Sequence, residues 1–103
     1  MTFYQILYWH DIPVQVRAKG AGGRASVALP ERFQEAVDLA AMAVGMIGSD
    51  EYTDAYKWGE QQSRDGEAAE VAQAVAAEFD AQFPRVDWRA TVTKIRGEMG
   101  VGP

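Results

Sequence analysis

Cysteine is absent from the 103 residues, and histidine occurs once, at position 10. Without a thiol the chain makes no disulfide, offers no thiolate nucleophile and ligates neither zinc nor an iron–sulfur cluster through sulfur. That absence suits a reducing compartment, and a cytoplasmic location is expected. Long apolar runs are missing too. The most apolar stretch, Phe3 to Trp9, is far shorter than the ~18–20 residues of a spanning helix. The opening Met1-Thr2-Phe3-Tyr4-Gln5 has no basic segment of the kind that begins a signal peptide. No membrane contact is therefore expected.

Positive charge is scarce: 10 Lys and Arg stand against 15 Asp and Glu, a net charge of −5. Such a chain is a poor general binder of phosphate backbones, and nucleic acid is not an expected partner. The charges are unevenly placed. Residues 1–32 carry Arg17, Lys19, Arg24 and Arg32 against Asp11 and Glu31, whereas residues 33–87 carry three bases against twelve acids. Residues 88–103 are basic again, with Arg89, Lys94 and Arg96 against Glu98. A solvated acidic helical face accounts for this pattern; a bipolar surface that orients a partner is the sharper alternative.

What is present suggests one domain over 1–103, with 48% hydrophobic and 24% charged residues, ordinary for a globular fold. Residues 3–10, Phe-Tyr-Gln-Ile-Leu-Tyr-Trp-His, read as a strand buried on both faces. Asp11-Ile12-Pro13 reads as a turn. Val14, Val16 and Ala18 alternate with Gln15, Arg17 and Lys19, a half-exposed strand. Gly20-Ala21-Gly22-Gly23 links it to a third strand over 25–29, giving an antiparallel hairpin.

Pro30 opens a helix whose stripe is Phe33, Val37, Ala40, Val44 and Ile47, widened by Leu39, Met42, Ala43 and Met46 and stopped by Gly48. Ser49 can cap a short helical turn over 50–56, followed by an edge strand near 57–63. Asp65-Gly66 is a turn. A second helix carries Ala68, Val71, Val75 and Phe79 and ends before Pro84. Residues 86–99 fit either an alternating strand or a helix with Trp88, Val92, Ile95 and Met99 at steps of four, three and four. Asp87 in a capping position favours helix, and residues 99–103 read as a frayed tail. The expected architecture is α+β: a mostly antiparallel sheet of about four strands with helices packed on one face, in the order β-β-β-α-β-α-α.

No catalytic centre stands out. His10 beside Asp11 is the nearest thing to a general-base pair, but neighbours on a strand point to opposite faces. A lone histidine with no ligand spacing is weak evidence for metal. The glycine loop joins two strands and does not lead into a helix, so it reads as a hairpin and not as a phosphate cradle. Arg17, Lys19 and Arg24 lie near aromatics, as in single-strand nucleic-acid binders, yet those aromatics sit on the most apolar strand and read as core. Tyr52, Tyr56 and Trp58 suit half-buried packing, with an aromatic docking patch as the alternative. No cofactor and no metal site is expected.

Three segments carry a resemblance. Tyr8-Trp9-His10-Asp11-Ile12-Pro13-Val14-Gln15-Val16, then Leu29-Pro30-Glu31-Arg32-Phe33-Gln34 with Ala40-Ala41-Met42, then Asp87-Trp88-Arg89-Ala90-Thr91-Val92 together resemble the bacterial virulence factor family, a domain found at the C-terminus of conserved virulence factor C. The family resemblance implies an accessory or scaffold role without an established activity. It also implies a setting near folate- and corrinoid-dependent one-carbon enzymes, and so a helper of methyl-transfer machinery. The family pattern carries Arg or Lys where His10 stands, which implies that His10 is no essential base. The implied recognition patch comprises Tyr8, Trp9, Asp11, Gln15, Arg32 and Gln34 at the sheet–helix junction. Its expected occupant is another protein; a small molecule held by Tyr8, Trp9, Asp11 and Arg32 is the alternative. An exposed strand edge leaves room for a homodimer.

Overall fold

The structure, a computed structural model, describes residues 1–98; the tail expected over 99–103, including Met99, lies outside them. Three strands, β1 (Thr2–Trp9), β2 (Ile12–Gly20) and β3 (Gly23–Ala28), precede α1 (Glu31–Ala43) and the short α2 (Asp50–Asp54). Then come β4 (Tyr56–Trp58), β5 (Gln62–Arg64), α3 (Ala68–Gln82) and α4 (Trp88–Glu98). The fold is α+β. The sheet is antiparallel, in the order β3-β2-β1-β4, with β5 also paired to β1. The edge strand expected near 57–63 is thus two short strands, β4 beside Leu7–Trp9 and β5 beside Thr2–Tyr4. They part at Gly59, whose amide donates to the Ile6 carbonyl at 2.8 Å. A Cβ at Gly59 would lie 3.0 Å from the Tyr8 ring, so any larger residue would have to displace that ring.

The expected turn Asp11-Ile12-Pro13 lies one residue earlier. Trp9 pairs with Ile12, leaving His10 and Asp11 to make the turn, with His10 at φ 55°, a region histidine tolerates better than most side chains. Pro13 lies inside β2. The register passes from Leu7↔Gln15 to Tyr8↔Pro13, so Val14 is the extra residue of a bulge. A bulge is where a strand can hold a residue that lacks an N–H. The β2–β3 hairpin forms as expected, with Gly20 opposite Gly23.

β1 is not buried on both faces along its length. Over Thr2–Ile6 exposure alternates, with Thr2, Tyr4 and Ile6 buried and Phe3 43% exposed. Only toward Trp9 do both faces become covered. One core cluster joins Tyr4, Ile6, Val16 and Ala18 to α3 through Val71, Ala72, Val75 and Ala76, with Tyr8 packed against it. The other joins Trp9 and Ile12 to Ala36, Val37, Ala40 and Ala41 of α1 and to Val92 and Ile95 of α4, with Leu7 packed against it. Successive strand side chains point to opposite faces, so Leu7 and Trp9 leave β1 on the side away from Ile6 and Tyr8.

α1 ends at Ala43, a turn before the expected stop at Gly48. Gly45 takes φ 73°; its amide donates to the Met42 carbonyl at 3.2 Å and that of Met46 to the Ala41 carbonyl at 2.8 Å. This is a Schellman ending, completed by burial of Met46 beside Ala41. Val44 caps the helix, and Ile47 leaves the stripe. Leu39, Met42 and Ile47, expected in the buried surface, are 44%, 65% and 53% exposed. Ser49 stands at the N-cap of α2 as expected, but its hydroxyl makes no capping bond and donates back to the Met46 carbonyl at 2.6 Å. The small residues Ala40 and Ala41 are fully buried and admit α4 closely, while the Arg96 guanidinium donates to the Ala43 carbonyl at 3.1 Å, a cation at a helix C-terminus. Residues 88–98 are helical, and Asp87 Oδ1 accepts from the Ala90 amide at 3.1 Å, which is the N-cap bond that separated helix from strand in the sequence.

Trp9 is 0% exposed, and its indole N–H donates to the Tyr52 carbonyl at 2.9 Å. Trp9→Ala should cost about 3–5 kcal/mol, a large part of the ~5–15 kcal/mol that holds a domain together. Urea denaturation followed by far-UV circular dichroism measures it; a loss under about 1 kcal/mol would place the indole outside the core.

Candidate functional site

The six residues of the implied recognition patch have separate engagements. Trp9 is core, and Tyr8 is half-buried against Gly59; burial raises the Tyr8 phenol above its ordinary pKa, with Tyr4 adding to the effect. Asp11 accepts from the Thr91 hydroxyl at 2.5 Å and from Lys94 Nζ at 2.8 Å, tying the hairpin turn to α4. Arg32 turns to the far end of α3: its guanidinium donates to the Phe83 carbonyl at 2.8 and 3.0 Å, to the Asp80 carbonyl at 2.8 Å and to Asp80 Oδ1 at 2.6 Å. It therefore caps the last carbonyls of α3. Gln34 donates to Tyr56 Oη at 3.0 Å and to Asp38 Oδ1 at 3.2 Å. Gln15 is half-buried on β2, between Leu7 and Ala28. The expected patch is dispersed over the hairpin turn, α4, the end of α3 and the α1–α2 contact. Trp9 is fully buried, and the Arg32 guanidinium is committed to the end of α3.

Tyr52, Tyr56 and Asp38 form a polar contact of their own. Tyr52 Oη donates to Asp38 Oδ1 at 2.9 Å and lies 3.2 Å from Tyr56 Oη. Burial first, and then these hydrogen bonds, push the Tyr52 phenol well above its ordinary pKa, so it stays a neutral donor. Both rings are half-buried, at right angles, with centroids 5.7 Å apart. His10 packs edge-on against Trp9 at 4.6 Å, with Nδ1 4.0 Å from Glu98. Among the described residues, no group of three or more His, Asp or Glu side chains is placed to hold a metal.

A different surface emerges from the strand register. Cα partners across a sheet share a face. Phe3 pairs with Lys19, Gln5 with Arg17, Arg17 with Ser26, Lys19 with Arg24 and Leu7 with Trp58. These residues therefore lie on the face opposite the α3 core, and at this end the face is open. A depression of about 680 Å³ runs over it, lined by Phe3, Gln5, Arg17, Lys19, Arg24 and Gln61 among others, within the size range of ligand sites.

Arg17 is the organised element of this face. Its Nε and Nη2 donate to Gln5 Oε1 at 3.1 and 2.7 Å, and its guanidinium carbon lies 3.8 Å from the centroid of the Trp58 ring. Gln5 is held in turn by its own amide, which donates to the Gly59 carbonyl at 3.0 Å. The guanidinium thus reaches across β1 and is fixed on an aromatic ring, a cation–π contact that leaves donors toward solvent. Arg17, Lys19 and Arg24 are exposed and form no ion pair among the described residues. Arg32, Arg64 and Lys94, by contrast, are paired with Asp80, Glu78 and Asp11. Arg17, Lys19 and Arg24 stand out in the sequence, but the neighbouring aromatics read there as core. The missed signal is the alternation of Phe3 and Gln5 against Thr2, Tyr4 and Ile6, which a near-continuous apolar run conceals.

A protein-family model described as virulence factor matches residues 7–92. The chain belongs to the virulence factor family. The matched residues run from Leu7 in β1 to Val92 in α4 and include Arg17, Lys19, Arg24 and Trp58 of the open face. Neither the curated proteins nor the solved structures yield a match.

Asp11 offers a test of how the hairpin turn is held in this virulence factor domain. Partial burial raises its carboxyl, but hydrogen bonds from Lys94 and Thr91 and the Lys94 charge outweigh this and hold it below the ordinary value. A lowered folded pKa contributes stability above the unfolded value of about 3.9, lost as pH falls through the folded one. The side chain is 41% exposed, and solvent screening limits the contribution to about 1 kcal/mol or less. Asp11→Asn should therefore be less stable than the parent at neutral pH and converge with it in acid. Urea midpoints measured across pH decide this; a gap that persists in acid would rule out the charge as its source.

Proposed function

We propose that this virulence factor domain is a non-catalytic interaction module that docks a partner protein on the open face of its sheet. The observation that carries the reading is the set Arg17, Lys19 and Arg24, unpaired among the described residues and flanked by Phe3 and the Arg17–Trp58 stack. Three cations with no carboxylate partner repel one another on a bare protein, and an acidic partner relieves that repulsion. An exposed aromatic beside a held guanidinium is also the composition found at the centre of protein interfaces. No described helix is long and apolar enough to cross a membrane, and the reading requires none. The resemblance to proteins encoded near folate- and corrinoid-dependent enzymes makes methyl-transfer machinery the first place to seek the partner.

The test compares capture by the parent chain with capture by Arg17→Glu/Lys19→Glu/Arg24→Glu, after circular dichroism has established that both are folded. The partner should be retained by the parent and lost by the triple variant, with binding that weakens as salt rises, because exposed charges are screened within about 8–10 Å at physiological ionic strength. Equal retention by both chains would eliminate the open face as the docking surface.

A further inference from the structure

β3 is an edge strand, and among the described residues nothing pairs with its outer side. The Leu29 amide donates to the Val14 carbonyl at 3.0 Å, which sets the phase of the β2–β3 ladder. Antiparallel ladders alternate between residues that bond to the neighbour and residues that bond away from it. Gly23, Ala25 and Val27 therefore bond to β2, and the amides and carbonyls of Arg24, Ser26 and Ala28 point outward. Those three residues are all exposed, and among the described residues their backbone groups have no partner. β3 contains no proline and no bulge, and its one charge is Arg24; edges that proteins protect usually carry such devices.

The two sides of β3 differ in chemistry. Arg24, Ser26 and Ala28 share the open face with Lys19, Arg17 and Gln15, whereas Ala25 and Val27 share the α3 face with Ala18 and Val16. A strand laid along β3 would place alternate side chains beside Arg24 on one face and beside Ala25 and Val27 on the other. The first set faces cations and the second faces apolar surface.

We propose that the partner supplies an extended segment of alternating acidic and apolar residues, which adds to the sheet as a strand along β3 with its carboxylates over Arg24 and Lys19. The inference rests on the docking reading above and names its occupant. Added strands lie about 4.8 Å from the edge, so a carboxylate opposite Arg24 is within reach of its guanidinium, and Lys19 follows one strand further in. Main-chain bonds to Arg24, Ser26 and Ala28 provide affinity, and the alternating side chains provide selectivity. A second copy fits less well. Antiparallel pairing of β3 with β3 about a two-fold axis normal to the sheet keeps the faces continuous and brings both sets of Arg17, Lys19 and Arg24 onto one surface. Single-stranded nucleic acid would gain the cations and aromatics but has no use for the outward amide–carbonyl pairs of the edge.

The probe is a synthetic peptide of about six residues, the length of an ordinary strand, alternating glutamate and valine, with a lysine–valine peptide as control. Calorimetry measures binding and amide chemical shifts locate it. The glutamate peptide should bind the full chain, shift the amides of Arg24, Ser26 and Ala28, and outcompete the lysine peptide. Ser26→Pro removes an outward amide while leaving the β2 ladder intact, and should weaken binding about tenfold or more. Lys19→Glu/Arg24→Glu should invert the preference between the two peptides. Undiminished binding to Ser26→Pro, with shifts confined to Arg17 and Trp58, would overturn strand addition and leave face docking standing. Loss of neither binding nor partner capture in the charge-reversed chains would overturn both. Sedimentation showing a dimer that Ser26→Pro dissociates would replace the peptide with a second copy. Tighter binding of oligothymidylate than of the glutamate peptide would replace it with nucleic acid.

Discussion

Complete burial of one large side chain at the end of β1 organises the rest of the molecule. Trp9 is the meeting point of the sheet, α1, α4 and the α2 segment. Its ring belongs to one buried cluster with Val37, Ala40 and Ile95, and its N–H is satisfied by the Tyr52 carbonyl. An indole buries much apolar area but must place one donor; the Tyr52 carbonyl fulfils that need and brings α2 and β4 to the sheet. The adjoining turn is then held from outside by Asp11, which takes hydrogen bonds from Thr91 and Lys94 of α4. Helix α4 is thus tied to the hairpin by apolar packing on one side and by an ion pair on the other.

Covering the hairpin end in this way leaves the opposite end of the same face bare. α3 provides apolar side chains to Tyr4, Ile6, Val16 and Ala18, and α1 and α4 serve Trp9 and Ile12. Phe3, Gln5, Arg17, Lys19 and Arg24 receive no such cover among the described residues. Charge follows the same division. Acids gather on the helices, with Glu31, Glu35 and Asp38 on α1, Asp50, Glu51 and Asp54 on α2, and Glu70, Glu78 and Asp80 on α3. Arg17, Lys19 and Arg24 lie on strands, while Arg89 and Arg96, also without an ion pair among the described residues, lie on α4. The acidic net charge therefore conceals a basic surface, and a protein of negative overall charge can still attract an acidic partner at one face.

Much of the fold was legible along the chain because local rules controlled it. Alternation in 14–19, the glycine hairpin, Pro30 before a helix, and Asp87 before Trp88 each depend on a few neighbouring residues, and each appears at or near its expected place. The errors share a cause. The end of α1 turned on Gly45, where two backbone bonds close the helix, yet Gly48 was an equally good stop by sequence. The implied patch drew together residues that are near in sequence or shared by a family pattern. In space, Arg32 caps α3, Gln34 reaches Tyr56, and Asp11 reaches Lys94.

Composition and periodicity alone determined that this chain lacks thiol chemistry, that it builds an α+β fold from hairpins and amphipathic helices, and that its acids and bases are segregated. Those properties need only residue identity and local spacing. Which aromatics are core and which are surface was decided by the tertiary structure. Phe3 and Ile6 look alike in an apolar run, and only the position of α3 buries one and exposes the other. The same is true of the cations: nothing local distinguishes Arg17 from Arg32, but the contact of α1 with the end of α3 neutralises Arg32, while the register of β1 with β2 and β4 places Arg17 on Trp58 on the open face.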